Sequence, residues 1–94
     1  MRIIWSIPAR NDLRGINDWL EREASPEFAM RTLAAIRYRA KVLEDFPRSG
    51  RPHLDGQRIL PVYGTPYLIR YQVDDRRVEV VRVHHERQAW QLED

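Results

Sequence analysis

Seven side chains in the last third of the chain are of types that handle phosphate, protons or partner surfaces: Arg58, Arg70, Arg82, His84, His85, Arg87 and Trp90. Arginine's planar fork grips phosphate and carboxylate oxygens at two points. Imidazole, with a reference pKa of about 6.5, gives or takes a proton near neutrality. Tryptophan stacks on a base or another ring but exchanges no proton. RNA cleavage by 2′-hydroxyl attack needs a proton acceptor, a proton donor and positive charge on the phosphorane. Arg58, Arg70, Arg82 and one of His84 and His85 can supply that set. The same arginines can instead lie on a solvated sheet face and pair with Asp74, Asp75 and Glu79, or bind another protein. Successive strand residues point to opposite faces. Counting by twos puts Arg82 with His84, and His85 with Val83 and Val81, and Arg70 on the neighbouring strand can lie across from the Arg82 and His84 set.

The elements that must position these residues follow from pattern. Ile59 to Val62 is a short apolar run that stops at Gly64. Tyr67 to Val73 is rich in the aromatic and β-branched residues that pleated surfaces favour. Asp74-Asp75 is turn chemistry, and Val78 to Val83 returns as a third strand, so the three form an antiparallel meander. Upstream, Arg2 to Ile7 reads as a strand ended by Pro8, with Ser6 or Ile7 near the cap of a helix. Ala9, Leu13, Ile16 and Leu20 make that helix's apolar stripe, and Asp12, Arg14, Asp18, Glu21 and Arg22 are assigned to its solvated face. Ser25-Pro26-Glu27 starts a second helix whose stripe is Ala29, Leu33, Ile36, Ala40 and Leu43, and Pro47 stops it. Trp5, Trp19, Phe28, Phe46, Tyr67 and Tyr71 are expected in the core, and Tyr63 beside Gly64 at the surface. Residues 47–56 are one long loop, too polar to pack. The order predicts a single α+β domain over residues 1–94. An N-terminal strand and a two-helix antiparallel hairpin pack on an antiparallel sheet completed by the C-terminal three-strand meander.

Composition removes several function classes. Ninety-four residues suffice for one modest core, and a hydrophobic fraction of 43% excludes wholesale disorder. No apolar run nears the roughly 20 residues of a membrane helix, and Met1 to Ser6 has no signal-peptide character. Without cysteine there is no disulfide, thiolate nucleophile or cysteine-based zinc site, which suits a cytoplasmic protein. His53, Asp55, His84 and His85 lack metal-ligand spacing, so neither a metal nor a cofactor is expected. The net charge of +2 is too small to demand a nucleic-acid partner. It is locally polarised: residues 48–73 hold Arg48, Arg51, Arg58 and Arg70 against Asp55, 4 − 1 = +3.

Several short stretches recur together in an order that carries a resemblance. They are Ala9-x-x-Asp12-Leu13-x-x-Ile16, Phe46-Pro47-x-x-Gly50-Arg51-Pro52, Arg58-Ile59-Leu60, Thr65-Pro66-Tyr67-x-Ile69-x-Tyr71, and Val80-Val81-Arg82-Val83-x-His85-x-Arg87-x-x-Trp90. In these the chain resembles the RelE/ParE superfamily of toxins from bacterial type II toxin–antitoxin modules, closer to its ParE side. The resemblance covers nearly the whole chain. It implies a growth-arresting toxin neutralised by a cognate antitoxin, in complexes that are commonly heterotetramers or larger.

Mechanism divides that superfamily. ParE-like members are reported to poison DNA gyrase, and RelE-like members cut messenger RNA in the ribosomal A site. Against the RelE pattern, the stretch before the meander has Arg48, Arg51 and His53 but no lysine, and the terminal aromatic is Trp90 rather than tyrosine. The expected activity is therefore gyrase poisoning, with Arg70, Arg82, His85, Arg87 and Trp90 as target-binding candidates. The alternative is a ribosome-dependent endonuclease using Arg58, Arg70, Arg82, His84 and His85, and a third reading is a non-toxic nucleic-acid-binding module. Family antitoxins wrap the toxin with a segment that folds on binding. An acidic segment would meet Arg48, Arg51 and Arg58, with Tyr63 nearby, and could lay an apolar helix face on the outer side of the hairpin.

Overall fold

The structure, a computed structural model, describes residues 1–88. Strand β1 (Arg2–Trp5) leads into helix α1 (Ile7–Glu23) and helix α2 (Pro26–Asp45). Strands β2 (Arg51–Pro52), β3 (Arg58–Pro61), β4 (Tyr67–Val73) and β5 (Arg77–His85) follow, with a single 3-10 turn at Leu54–Gly56. Both helices start where the side-chain chemistry places them. Ser6 Oγ accepts from the Ala9 N–H at 3.1 Å, Ser25 Oγ accepts from the Phe28 N–H at 3.0 Å, and a proline occupies the first turn of each helix.

The sheet has five strands in the order β1-β5-β4-β3-β2. The meander β3-β4-β5 is antiparallel, as expected, but β1 runs parallel to β5, so the sheet is mixed. The hairpin of helices lies between β1 and the meander, and this long excursion lets the first strand return beside the last in the same direction. The loop after α2 is not the unpacked connection its polarity suggests. Arg51 and Pro52 add a short strand to β3, and Gly50 is buried against Tyr71. Tyr71 Oη accepts from the Gly50 N–H and donates to the Pro47 carbonyl, both at 2.8 Å. Burial raises the pKa of this phenol, and the Gly50 N–H with the nearby Arg58 and Arg39 charges opposes that rise.

One layer of core joins helices to sheet. Ala9, Leu13, Leu33, Ile36, Ala40 and Leu43 pack on Leu60, Val62, Tyr67, Ile69, Tyr71, Val78, Val80 and Val83. Ile36 and Leu43 are fully buried, and truncating either to alanine costs about 2–5 kcal/mol. Three of the large aromatics expected there are not in the core: Trp19, Phe28 and Phe46 are 51, 45 and 66% exposed. The apolar stripes of α1 and α2 already cover the sheet face, and these rings fall beside the stripes rather than on them. Trp5, partly buried, and Tyr67 and Tyr71, buried, do pack as expected, and Tyr63 is exposed.

A β-bulge interrupts the pairing of β4 with β5. Arg70 pairs with Arg82 and Tyr71 with Val80, which leaves Val81 as an extra residue. The bulge resets alternation along β5: Val78 and Val80 face the core before it, and Val83 after it. Val81 therefore does not share the core-facing row of Val83 and His85 that counting by twos assigns to it.

Candidate functional site

Among the described residues, no strand lies on the outer side of the far half of β5, because β1 ends in register with Val80. Side chains take the missing strand's place. Ser6 Oγ donates to the Val81 carbonyl at 2.8 Å, Asp12 Oδ2 accepts from the Val83 N–H at 2.9 Å, and Gln88 Oε1 accepts from the His85 N–H at 2.8 Å. Asp12 also takes Arg82 in a two-point grip, with Nε 2.8 Å from Oδ2 and Nη2 3.0 Å from Oδ1. Asp12 therefore does not belong to the solvated face of α1. Its carboxylate side chain is only 16% exposed. The sign of this role was present in its spacing: it falls three residues after Ala9 and four before Ile16, on the side of the helix that faces the sheet.

The residues singled out by chemistry are divided by the sheet. Arg70 and Arg82 are opposite each other across β4 and β5, and His84 lies two residues on in the same register face, opposite Leu68. Arg70 and His84 are buried, at 6 and 2% exposure. His85 is on the other face, where its ring meets that of Tyr67 edge-on with centroids 5.5 Å apart. Its Nδ1 accepts from the Arg87 N–H at 3.1 Å, which places the proton of the neutral ring on Nε2. Burial also raises the pKa of Tyr67. With Asn11, Gly15, Ile16, Trp19 and Val83, this pair lines a groove of about 480 Å3 between α1 and the end of the meander. Arg87 is exposed at the groove's end of β5, and Trp90 lies outside the described residues.

The basic residues before the meander gather at one end of β3. Arg58 Nη1 donates to the Gly50 carbonyl at 2.7 Å and lies 3.4 Å from that of Arg48, so its charge is spent on ordering the loop. Arg48 and Arg51 are exposed beside it. Tyr63 is separate, beyond the other end of β3, where the Arg39 guanidinium covers its ring at 4.6 Å. Arg39, which composition did not single out, also donates from Nε to the Pro61 carbonyl at 2.9 Å. It lies on α2 four residues before Leu43, half-buried, and nothing in its spacing distinguishes it from the exposed arginines of that helix.

The family model described as ParE toxin of the type II toxin–antitoxin system, parDE, matches residues 3–90. The chain belongs to this family. This ParE-family chain is 34% identical over 90 residues to a candidate toxin of Sinorhizobium fredii, Y4kP, covering 95% of this chain and 92% of that protein. It is equally 34% identical over 84 residues to Toxin RelE2 of Caulobacter vibrioides, covering 89% and 93%. Its fold matches a solved chain of the chromosomal ParDE system from P. aeruginosa with a TM-score of 0.82, at 23% identity and over 90% and 95% of the two chains. Among the described residues of the ParE-family chain, no helix is long and apolar enough to cross a membrane.

Proposed function

We propose that this ParE-family toxin is held inactive by a cognate antitoxin in the cytoplasm and, once released, arrests growth by poisoning DNA gyrase through protein contact. The supporting observation is that the groups available for RNA cleavage do not meet at an open point: Arg70, Arg82 and His84 share one face of the sheet, but Arg70 and His84 are buried. Arg82 is committed to Asp12, Arg58 to backbone carbonyls, and His84 and His85 lie on opposite faces of the sheet. A nuclease needs its proton carriers and its phosphate clamps around one open point. Protein recognition needs only an exposed, shaped surface, and the groove lined by Trp19, Tyr67 and His85 offers one, with Arg87 exposed two residues beyond His85. Exposed Arg48 and Arg51 suit the acidic segment expected of the antitoxin.

Purified toxin freed from its antitoxin is the reagent that tests this reading, in two parallel assays. One follows gyrase supercoiling with a readout for trapped cleavage complexes, and the other follows messenger RNA integrity in a translating extract. Stalled gyrase with intact RNA is the expected result. Cut RNA with normal supercoiling overturns it in favour of a ribosome-dependent endonuclease. The register that sets Arg70 against Arg82, with His84 two residues on, makes those three the first residues to test in that event.

A further inference from the structure

Both helices pack on one face of the sheet, where Leu60, Ile69, Tyr71 and Val83 meet them. The strand neighbours of those residues, Ile59, Arg70 and His84, point to the other face, on which neither α1 nor α2 lies. The register sets Arg51, Ile59, Arg70 and Arg82 in one row across β2, β3, β4 and β5, with His84 two residues beyond Arg82. A sheet face without helices ordinarily meets water. Here Ile59, Arg70 and His84 are 0, 6 and 2% exposed. Arg70 and His84 are engaged rather than free. Burying a guanidinium is costly unless an anion meets it. Of the carboxylates near this row, Asp12 is taken by Arg82 and the Val83 N–H, Glu79 accepts from Gln72, and Glu86 is exposed.

We infer that residues 89–94 fold back over this row as an acid clasp, setting the carboxylates of Glu93 and Asp94 on Arg70 and His84 and so keeping a cationic face shut. The chain already reverses where β5 ends. The Gln88 N–H donates to the His85 carbonyl at 3.0 Å, and Gln88 Oε1 accepts from the His85 N–H at 2.8 Å. Strand β2 and its 3-10 turn lie at the far edge of the sheet, about 14 Å from β5, so they are badly placed to cover His84. The five residues from Gln88 to Glu93 reach up to about 17 Å. Arg82 is about 10 Å back along β5 from His85, and Arg70 about 5 Å further across. The segment, Ala89-Trp90-Gln91-Leu92-Glu93-Asp94, holds two carboxylates and no lysine or arginine, the complement of a row with three arginines. The groove between α1 and the meander is also within reach and suits Trp90, but its lining holds the Asp12 carboxylate and no arginine or lysine to receive the acidic end. Carboxylates seated on the row take the place a phosphate chain would occupy, so polyanions are excluded until the clasp opens.

The chain has no cysteine, so Gln91→Cys gives one attachment point for a nitroxide spin label on the full, purified chain. Nuclear magnetic resonance of the labelled protein should show the amides of Arg70, Arg82 and His84 broadened more than those of Gly15 and Trp19 in the other groove. Adding Glu93→Gln with Asp94→Asn should abolish that preference, and about 500 mM salt should weaken it in the parent chain. In unlabelled protein the same double substitution should leave the melting curve unchanged and tighten binding of tripolyphosphate about tenfold or more, a gain that about 500 mM salt removes. The affinity test stands by itself if the label disturbs the fold. Stronger broadening at Gly15 and Trp19 would give the segment to the apolar groove and overturn the inference. No selective broadening, a preference that survives the double substitution, or unimproved tripolyphosphate binding would overturn it as well. None of these readouts involves the toxin's target, so the gyrase reading stands or falls separately.

Discussion

Asp12 and Arg82, seventy residues apart in sequence, hold α1 to the bulged half of β5 through two hydrogen bonds of 2.8 and 3.0 Å, and the same carboxylate caps the Val83 N–H. Removing the carboxylate takes two hydrogen bonds from the guanidinium and leaves the Val83 N–H without its acceptor. Asp12→Ala should cost about 2–4 kcal/mol, moderated because the Arg82 side chain keeps 34% of its surface in water. Asp12→Asn, which retains an acceptor, should cost about half as much. Urea unfolding gives the magnitude, and faster hydrogen exchange at the Val83 amide gives the location.

Tyr71 couples stability to alkaline pH. Burial raises its pKa above the ordinary value of 10, so the fold favours the protonated phenol. Its contribution is therefore complete below about pH 10 and is lost as pH rises from there through the raised folded value. Tyr67 is raised by burial in the same direction. Tyr71→Phe strands the Gly50 N–H and the Pro47 carbonyl, and should cost about 1–3 kcal/mol at neutral pH. The alkaline fall should become shallower without vanishing, since Tyr67 remains. Urea midpoints measured between about pH 8 and pH 11 check both.

Gly50 is a place where no side chain fits. A Cβ there would stand 2.7 Å from Tyr71 Cε1 and 2.8 Å from the Ile59 carbonyl oxygen, and the second of these cannot swing away. Gly50→Ala should therefore destabilise the protein by about 1–3 kcal/mol and loosen the loop that carries Arg48 and Arg51. Weaker antitoxin capture with an intact helical signal in circular dichroism is the expected signature.

Arg87 separates surface from scaffold. Its side chain is exposed, and its backbone rather than its guanidinium supports His85. Under the gyrase reading, Arg87→Ala should weaken poisoning about tenfold or more while the unfolding free energy from urea titration stays within about 0.5 kcal/mol of wild type. Equal poisoning by the variant would remove Arg87 from the target surface.

The elements of this fold were legible because local rules agree. Ser6 and Ser25 cap, Pro8 and Pro26 enter, and the stripe from Ala29 to Leu43 is buried at every position. Tyr67 to Val73 is the strand its composition announces. What escaped was set by pairing across distance. The extra residue at Val81 exists only relative to β4, and the parallel course of β1 only relative to β5. Asp12 was misjudged because a carboxylate on a helix normally faces water, whereas here an unpaired strand edge needed an acceptor. The arginines could be recognised as chemically able, yet their commitments to Asp12 and to the Gly50 carbonyl arise only once the chain has folded.

The caps along β5 have a consequence for the protein's solubility. Ser6, Asp12 and Gln88 occupy backbone groups at Val81, Val83 and His85 that would otherwise template another strand. The opposite margin ends on Pro52, which has no N–H to offer. Copies of this chain released from a partner are thereby denied the simplest route into ordered aggregates. Stripping the caps from α1 and its lead-in would bare the backbone of Val81 and Val83, in the half of β5 that β1 leaves uncovered.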